Sequence, residues 1–195
     1  MSKKINWGLH LIELVIVTLG ILIGFGLNSW NETRKDQNLA DLYLNNIKQE
    51  LLENKKVLQE SYAYHSDLLE QLNKAPLEAQ LTLSPGEINN SAWRLSENLI
   101  FKKHIAPKIY RVLSAVYKTH DYLVDESTHA TQLMNESNVL GGFYLSPTLR
   151  MNLTDAEQKE VSIQLRQGWI PIFETWTSTE EIYLQRIDEA LKLLN

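Results

Sequence analysis

The stretch HLIELVIVTLGILIGFG, from His10 to Gly26, decides the fold of this 195-residue chain. It lies in a run over residues 8–27 in which only His10, Glu13 and Thr18 are polar. A helix of this length spans about 30 Å at about 1.5 Å per residue, which matches the hydrocarbon core of a bilayer. The run therefore predicts one transmembrane helix.

Two tryptophans, Trp7 and Trp30, bracket the run at the positions where aromatic side chains anchor a helix in the membrane interface. A cleaved signal peptide is the alternative. No small-residue cleavage site follows, however, and the sequence LNSWNETRKDQ leads straight into helix-forming sequence. We therefore expect residues 1–30 to be an uncleaved transmembrane signal anchor.

Polar and small residues share one face of this helix. At about 100° per residue, His10, Glu13, Gly20 and Gly24 fall within one narrow stripe, and the other faces carry large apolar residues. An ionisable residue at membrane depth normally faces protein or water, and glycines four residues apart let a second backbone approach closely. The stripe predicts a packing surface; for Glu13, a proton-carrying role and simple tolerance near the headgroups are the alternatives.

The segment IELVIVTLGILIGFGLNSWNETRK, residues 12–35, resembles the N-terminal signature of an uncharacterised bacterial family of single-pass membrane proteins, a domain of unknown function. The chain departs from that signature at Ile12, where the family usually has Gly, and at Gly24, where Ala is common. The resemblance implies a bacterial membrane protein and no known activity. The matching residues are Glu13, Gly20, Ile21, Leu22, Ile23, Asn28, Trp30, Asn31, Glu32, Arg34 and Lys35.

Composition narrows the classes of function. The residues after Trp30 include 17 Lys and Arg against 23 Asp and Glu, a balance that argues against a nucleic-acid partner because phosphates require a basic surface. The chain has no Cys, which excludes disulfides, thiolate nucleophiles and Cys-based metal sites.

Residues 31–195 are expected to form an all-α domain, an elongated bundle of about four helices. No Pro or Gly occurs over residues 31–73, where apolar residues recur every 3.5 to 3.6 positions, so the first helix is expected to continue out of the membrane. Prolines and a glycine then predict a loop over residues 77–84. A second helix is expected from about Pro85 to Lys102, with Ser84 and Glu87 as its capping box.

Two further helices are expected. One follows Pro107, with a pattern that permits a break over residues 118–122, and the sequence GGFYLSP places a loop over residues 141–153. The last helix begins after Thr154, which forms a capping box with Glu157, and runs to Leu194 along the first helix. Pro171 predicts a kink or break over residues 168–170.

Few residues suggest chemistry. Asp121, Asp125 and His129 share a helix face, but this spacing is common on solvated helices and does not predict a metal site. His65 is expected in the core or at its rim, and His104 at the surface. We find no nucleophile with a credible partner and no phosphate-binding loop, so we expect no enzymatic activity, catalytic residue, cofactor or metal.

The last helix carries acidic pairs and aromatic residues. Glu180, Glu181, Asp188 and Glu189 are expected to face solvent and to pair with Arg186 or Lys192. Core packing is the simplest interpretation of Trp169, Phe173 and Trp176, which share one helix face. A ligand or partner groove is the alternative.

We therefore expect a protein of the bacterial inner membrane with a C-terminal domain outside the cytoplasm, because a short basic N-terminus most simply stays inside. The leading hypothesis is a non-enzymatic single-pass membrane protein that assembles, with itself or with another membrane protein, through its transmembrane helix and presents a helical interaction or spacer domain. The alternatives are an extracytoplasmic four-helix sensor module that signals through a partner and a subunit of an ion-driven membrane complex that uses Glu13.

Overall fold

A computed structural model describes residues 7–74, 85–145 and 154–194. Within these ranges the chain forms five helices and no strand, so the all-α prediction is confirmed. The helices are α1 (Trp7–Lys74), α2 (Ser91–Ser96), α3 (Leu99–His104), α4 (Pro107–Leu145) and α5 (Asp155–Leu193).

Helix α1 is a single uninterrupted helix of 68 residues, about 100 Å long at about 1.5 Å per residue. The predicted continuation through residues 31–73 is therefore confirmed. Its N-terminal half, residues 11–35, is exposed at every position, whereas its core half, residues 36–74, carries the first face of the hydrophobic core. The predicted loop over residues 77–84 lies outside the described residues.

The core lies between the core half of α1 and helices α4 and α5. Helix α5 runs antiparallel to α1, since Glu180 contacts His65 and Asp188 contacts Lys55. The predicted packing of the last helix along the first is thus confirmed, and α5 also packs on α4. The largest fully buried side chains include Ile47, Leu51, Leu58 and Leu72 from α1, Leu113, Tyr117 and Leu123 from α4, and Phe173, Tyr183 and Ile187 from α5.

The predicted second helix from Pro85 to Lys102 is wrong at its start, because residues 85–90 are not helical. Asn54 binds Asn89 twice: its amide donates to the Asn89 carbonyl at 2.6 Å, and its oxygen accepts from the Asn89 N–H at 2.7 Å. These bonds tie the non-helical segment to α1. The proposed cap Ser84 lies outside the described residues.

The same predicted helix is also divided into two. Helix α2 ends at Ser96, and Asn98 caps α3 by accepting a hydrogen bond from the Phe101 N–H at 2.9 Å.

Gly86 lies at φ 75°, and a Cβ there would approach Val57 Cγ1 to 2.5 Å. This turn therefore requires glycine.

Helix α4 extends further than the sequence predicts. It is continuous over residues 118–122, where Thr119 and His120 are buried, and it includes residues 141–145, which were predicted as loop. A glycine costs about 1 kcal/mol relative to Ala inside a helix, which does not by itself end one. The remainder of the predicted loop, residues 146–153, lies outside the described residues.

Helix α5 begins as predicted. Thr154 Oγ1 accepts from the Glu157 N–H at 3.4 Å, and Glu157 Oε2 accepts from the Thr154 N–H at 2.7 Å, which confirms the capping box. Of the kink or break predicted over residues 168–170, the break is wrong, because the helix continues through Pro171. The kink stays a prediction. The buried side chains of Trp169 and Phe173 hold the helix against the core on both sides of the proline.

Candidate functional site

The N-terminal half of α1 exposes large apolar side chains on all faces except the stripe of Glu13, Gly20 and Gly24. Leu11, Leu22 and Phe25 are 65%, 61% and 71% exposed, and no residue of this half is buried. Within the described ranges α1 is the helix long and apolar enough to cross a membrane, a criterion that a signal sequence near an N-terminus also meets. The Thr18 hydroxyl donates to the Leu14 carbonyl at 2.8 Å, which satisfies it inside the helix.

The predicted packing stripe lies on this half of α1. A Cβ added at Gly20 or Gly24 would meet no atom within 4 Å, so this face is open to a second helix. Glu13 falls on the same face by helix geometry. The side chain of His10, which would extend the stripe, lies outside the described residues.

Of the two predicted interfacial anchors, Trp7 and Trp30, only the side chain of Trp30 lies within the described residues. Trp30 is 62% exposed, and the Arg34 guanidinium lies 5.8 Å from the centre of its ring. The side chain of Trp7 is outside the described residues. Trp30 and Arg34 together place an aromatic and a cationic group just after the apolar run.

A buried polar network joins α1 to α5. The two Glu180 carboxylate oxygens lie 3.0 Å from His65 Nδ1, and Ser61 donates to Glu180 Oε1 at 2.7 Å. Glu180 is fully buried and His65 is 1% exposed. The expectation that Glu180 faces solvent is therefore wrong.

The indole N–H of Trp176 also reaches His65 Nδ1, at 3.1 Å. An indole nitrogen only donates, so Nδ1 can accept from Trp176 or donate to the Glu180 carboxylate, but not both at once. The tautomer of His65 therefore decides which of these two groups Nδ1 binds.

A second buried network joins α1 to α2 and α4. Glu50 Oε1 accepts from the Tyr117 hydroxyl at 2.6 Å, and its Oε2 accepts from the Ala92 N–H at 2.7 Å. Burial and then the hydrogen bond to Glu50 raise the pKa of Tyr117. The neutral phenol is therefore the form that the fold stabilises.

Tyr183 lies near this network on α5. Burial raises its pKa, and the Asn54 carboxamide lowers it in part. Its hydroxyl has no partner with good hydrogen-bond geometry in the described part of the chain. Tyr183 therefore contributes mainly as a fully buried aromatic side chain.

Two further charged contacts differ from the sequence predictions. Asp188 pairs with Lys55 of α1 at 2.6 Å. Arg186 donates to the Ala115 carbonyl at 3.0 Å and to the Thr119 hydroxyl, both on α4. Asp188 reaches α1 and Arg186 reaches α4, so the predicted pairing of the acidic residues with Arg186 is wrong.

His104 of α3 and Asp121 of α4 both contact neighbouring polar groups. His104, predicted at the surface, is nearly buried, and its Nε2 lies 3.7 Å from Asp36 Oδ2. Asp121 lies 3.1 Å from His120 Nδ1 and accepts from Asn90 at 3.3 Å. No group of three or more His, Asp or Glu side chains that could hold a metal occurs among the residues described.

The three aromatic residues of the predicted groove lie in the core. Trp169, Phe173 and Trp176 are 8%, 0% and 3% exposed. A groove of about 270 Å³ does open between α4 and α5, and of the three only Trp176 lines it. His129 and Pro171 also line this groove, so the ligand interpretation stays a prediction centred on Trp176.

Residues 13–83 match a family of unknown function, DUF6090. The match begins at Glu13 and covers most of α1. It fits the resemblance to an uncharacterised family. No curated protein and no solved structure matches the chain.

Sequence reasoning missed both buried networks, although the spacing held a signal. Glu180 follows Trp176 by four residues and precedes Tyr183 by three, which places it on the core face of α5. Glu50 likewise lies between Ile47 and Leu51 on the core face of α1. A carboxylate in register with core residues indicates a buried polar contact.

Proposed function

We propose that this is a non-enzymatic single-pass membrane protein that assembles through the N-terminal half of α1 and presents a helical domain in the aqueous phase. The proposed membrane is the bacterial inner membrane, with the domain on the extracytoplasmic side and a transmembrane anchor over residues 1–30. The match to a family of unknown function names no activity that competes with this proposal.

One observation carries the proposal. The same helix that is exposed over residues 11–35 supplies core residues from Ala40 to Leu72 without interruption. The exposed apolar surface over residues 11–27 has no partner within the described protein, and the apolar run over residues 8–27 matches the thickness of a bilayer's hydrocarbon core.

The open face of the N-terminal half supports assembly. Gly20 and Gly24 leave room for a second backbone, and Glu13 lies on the same face. A carboxyl group facing another helix avoids contact with lipid, which makes a protein partner on this side favourable.

The core half supports a spacer or interaction role for the domain. Buried contacts tie α1 to three other helices: Glu180 connects it to α5, Tyr117 to α4 and Ala92 to α2. Because α1 is continuous, a tilt or rotation of the membrane segment moves the packed domain with it.

Disulfide crosslinking tests the assembly. The chain has no Cys, so single cysteines can be placed at Gly20 and Gly24, with Leu19 and Leu22 as matched controls that point away from the stripe. Oxidation of native membranes is expected to give dimers at the two glycine positions only. Equal crosslinking at all four positions would indicate random collision. No crosslinking at any position would indicate that the stripe packs against a different protein and not against a second copy of this chain.

The substitution Glu13→Gln separates packing from proton transfer. Gln keeps the shape of the side chain and removes the titrating proton, so a packing role predicts unchanged crosslinking and unchanged complementation of a deletion strain. Intact crosslinking with lost complementation would instead favour the ion-driven complex.

The groove beside Trp176 favours a second candidate function, a sensor of a small molecule that signals through a partner. A ligand screen that measures the unfolding temperature tests it on the full chain in detergent. A ligand of the groove raises that temperature in the native chain and in Glu174→Trp, but not in Thr175→Trp, because Thr175 lines the groove and Glu174 does not. A shift that survives Thr175→Trp would remove the groove from consideration.

A further inference from the structure

The segment from Asn89 to His104 descends along α1 toward its apolar end. Asn89 binds Asn54, the Ala92 N–H binds Glu50, and Phe101 packs against Tyr43 with ring centres 6.0 Å apart. His104 then reaches Asp36, only six residues beyond Trp30. The turn between α3 and α4 is therefore the part of the helical domain that lies nearest to the apolar segment.

Helix α3, this turn and the start of α4 (residues 99–108) are together named the basic corner. The corner has the opposite charge to the chain as a whole. The chain carries a formal charge of −5, whereas the basic corner holds Lys102, Lys103 and Lys108 and no Asp or Glu. All three lysines are exposed. In the described part of the chain no carboxylate lies within 4 Å of these ammonium groups, and Lys102 instead lies 5.6 Å from the centre of the Tyr110 ring.

Acidic residues near the corner are Glu32 and Asp36 of α1 and the exposed Glu97, which precedes Leu99 by two residues. Asp36 is directed to His104, and Glu32 accepts a hydrogen bond from Asn28 at 2.9 Å. Arg34 and Lys35 add two exposed cations beside them. Together with Arg34 and Lys35, the three lysines of the corner outnumber these carboxylates.

The corner also has an apolar member. Leu99 precedes Lys102 and Lys103 by three and four residues, so all three share one face of α3. Leu99 is 86% exposed, a larger fraction than any other large apolar side chain for which exposure is described. A leucine flanked by lysines is typical of a surface that contacts lipid headgroups, because the lysine stems cover apolar surface while their charges reach phosphate.

The distance along α1 permits this contact. If Leu27 marks the end of the hydrocarbon core, Asp36 lies about 13 Å further along the helix, at about 1.5 Å per residue. The headgroup layer covers roughly the first 5 to 8 Å of that distance. His104 contacts Asp36, so the end of α3, which holds Lys102 and Lys103, lies about one Debye length from the headgroups at physiological salt.

We propose that the basic corner docks on anionic lipid headgroups at the point where α1 leaves the bilayer. This inference rests on the proposed membrane span of α1. Docking at a second point fixes the tilt of α1 and holds the domain close to the membrane surface. A single membrane-crossing helix alone would leave the domain free to pivot.

A fluorescence quenching experiment on the full chain in nanodiscs tests the docking. A single cysteine at Ala106, in the corner, carries a fluorophore, and a cysteine at Asp125, further along α4, serves as the distant control. The lipid is phosphatidylcholine alone or with about one-third phosphatidylglycerol, plus a headgroup-labelled nitroxide lipid as quencher. We expect phosphatidylglycerol to increase quenching at position 106 and not at position 125.

The variant Lys102→Gln, Lys103→Gln, Lys108→Gln removes three charges from the corner, and Lys56→Gln, Lys118→Gln, Lys192→Gln removes the same number elsewhere. We expect the first variant to lose the phosphatidylglycerol-dependent quenching and the second to keep it. Raising the salt to about 1 M, where the Debye length is about 3 Å, should also abolish it. Equal quenching at position 106 in both lipids, or in both variants, would overturn the docking.

Flotation with vesicles at high salt separates the two proposals. A chain that floats but shows no lipid-dependent quenching keeps its membrane span and loses the docked corner. A chain that does not float overturns the span and the docking together.

Discussion

The two halves of α1 have the same helical geometry and opposite surroundings. In residues 11–35 no side chain is buried, whereas the core half holds Ile47, Leu51 and Leu58 with no measurable exposure. The apolar residues of the first half surround the helix, and those of the second occupy one face. A helix that is apolar all round suits lipid, and one with a single apolar face suits a protein core.

The polar residues of the two halves differ in the same way. In the core half, Glu50, Asn54 and His65 each bind a group from another segment of the chain. In the N-terminal half, the hydrogen bonds of Thr18 and Asn28 stay within the helix. The hydrogen bonds of Glu50, Asn54 and His65 thus cross to other segments, whereas those of Thr18 and Asn28 do not. Helix α1 keeps its structure along its length while its surroundings change.

The largest expected effect comes from breaking the polar contact that fixes the core half. The substitution Glu180→Ala leaves the buried His65 and Ser61 without their carboxylate, and loss of one partner of a buried pair costs about 3 to 5 kcal/mol in the free energy of unfolding. Urea unfolding of the full chain in detergent measures this change in the free energy of unfolding. The adjacent Glu181→Ala is the control, with an expected change within about 0.5 kcal/mol because Glu181 is exposed. Equal effects at both positions would contradict the buried network.

Matched leucines compare the two halves directly. The substitution Leu51→Ala removes a fully buried side chain and is expected to destabilise the domain by about 2 to 5 kcal/mol. Leu22→Ala, in the N-terminal half, is expected to change the same unfolding transition by less than about 0.5 kcal/mol. If Leu22→Ala destabilised the domain as strongly as Leu51→Ala, the contrast between the two halves would be wrong.

Alkaline pH tests the second network of the core half. Because the pKa of Tyr117 is raised above its ordinary 10.0, the folded chain keeps a proton that the unfolded chain releases, so stability is full below pH 10 and falls as the pH rises further. Tyr117→Phe is expected to cost about 1 to 3 kcal/mol at neutral pH, since Glu50 loses a buried donor. Unfolding free energies between neutral and alkaline pH should fall less steeply in this variant, and an unchanged slope would argue against a buried neutral phenol.

The smallest expected effect lies at the start of α5, far from the contact with α1. Thr154→Ala removes the side-chain acceptor of the capping box and is expected to cost about 1 kcal/mol, seen as faster amide exchange in the first turn. The hydrogen bonds from Thr154 lower the pKa of Glu157, so the stabilisation is present above the ordinary pKa of a Glu and is lost as the pH falls through the lowered value. Exchange rates equal to those of the native chain would show that the cap contributes nothing.

The features predicted correctly from the sequence are those with local causes. The helix over residues 31–73 follows from its apolar period and its lack of Pro and Gly, and the cap of α5 follows from Thr154 and Glu157, three residues apart. The segment 85–90 was predicted wrongly because its conformation depends on Asn54, which is 35 residues from Asn89.

The candidate sites follow the same rule. The stripe of Glu13, Gly20 and Gly24 can be derived from helix geometry alone. The network around Glu180 could not be derived, since its partners on α1 are more than a hundred residues away and its neighbours in sequence suggested a solvated acidic pair. Local spacing fixes which face a residue lies on, but only the packed helices decide what that face meets.

A cysteine accessibility scan along α1 tests most directly whether the two halves lie in different environments. Single cysteines at every position from Leu11 to Leu58 would be treated with a membrane-impermeant maleimide in native membranes, which the absence of native Cys makes specific. We predict uniform protection through Leu27, lifted only by detergent, and then labelling with a period of about 3.6 residues in which core positions such as Ile47 stay protected. Rapid labelling of residues 11–27 in intact membranes, or protection there with the same period as in the core half, would contradict the proposed membrane span.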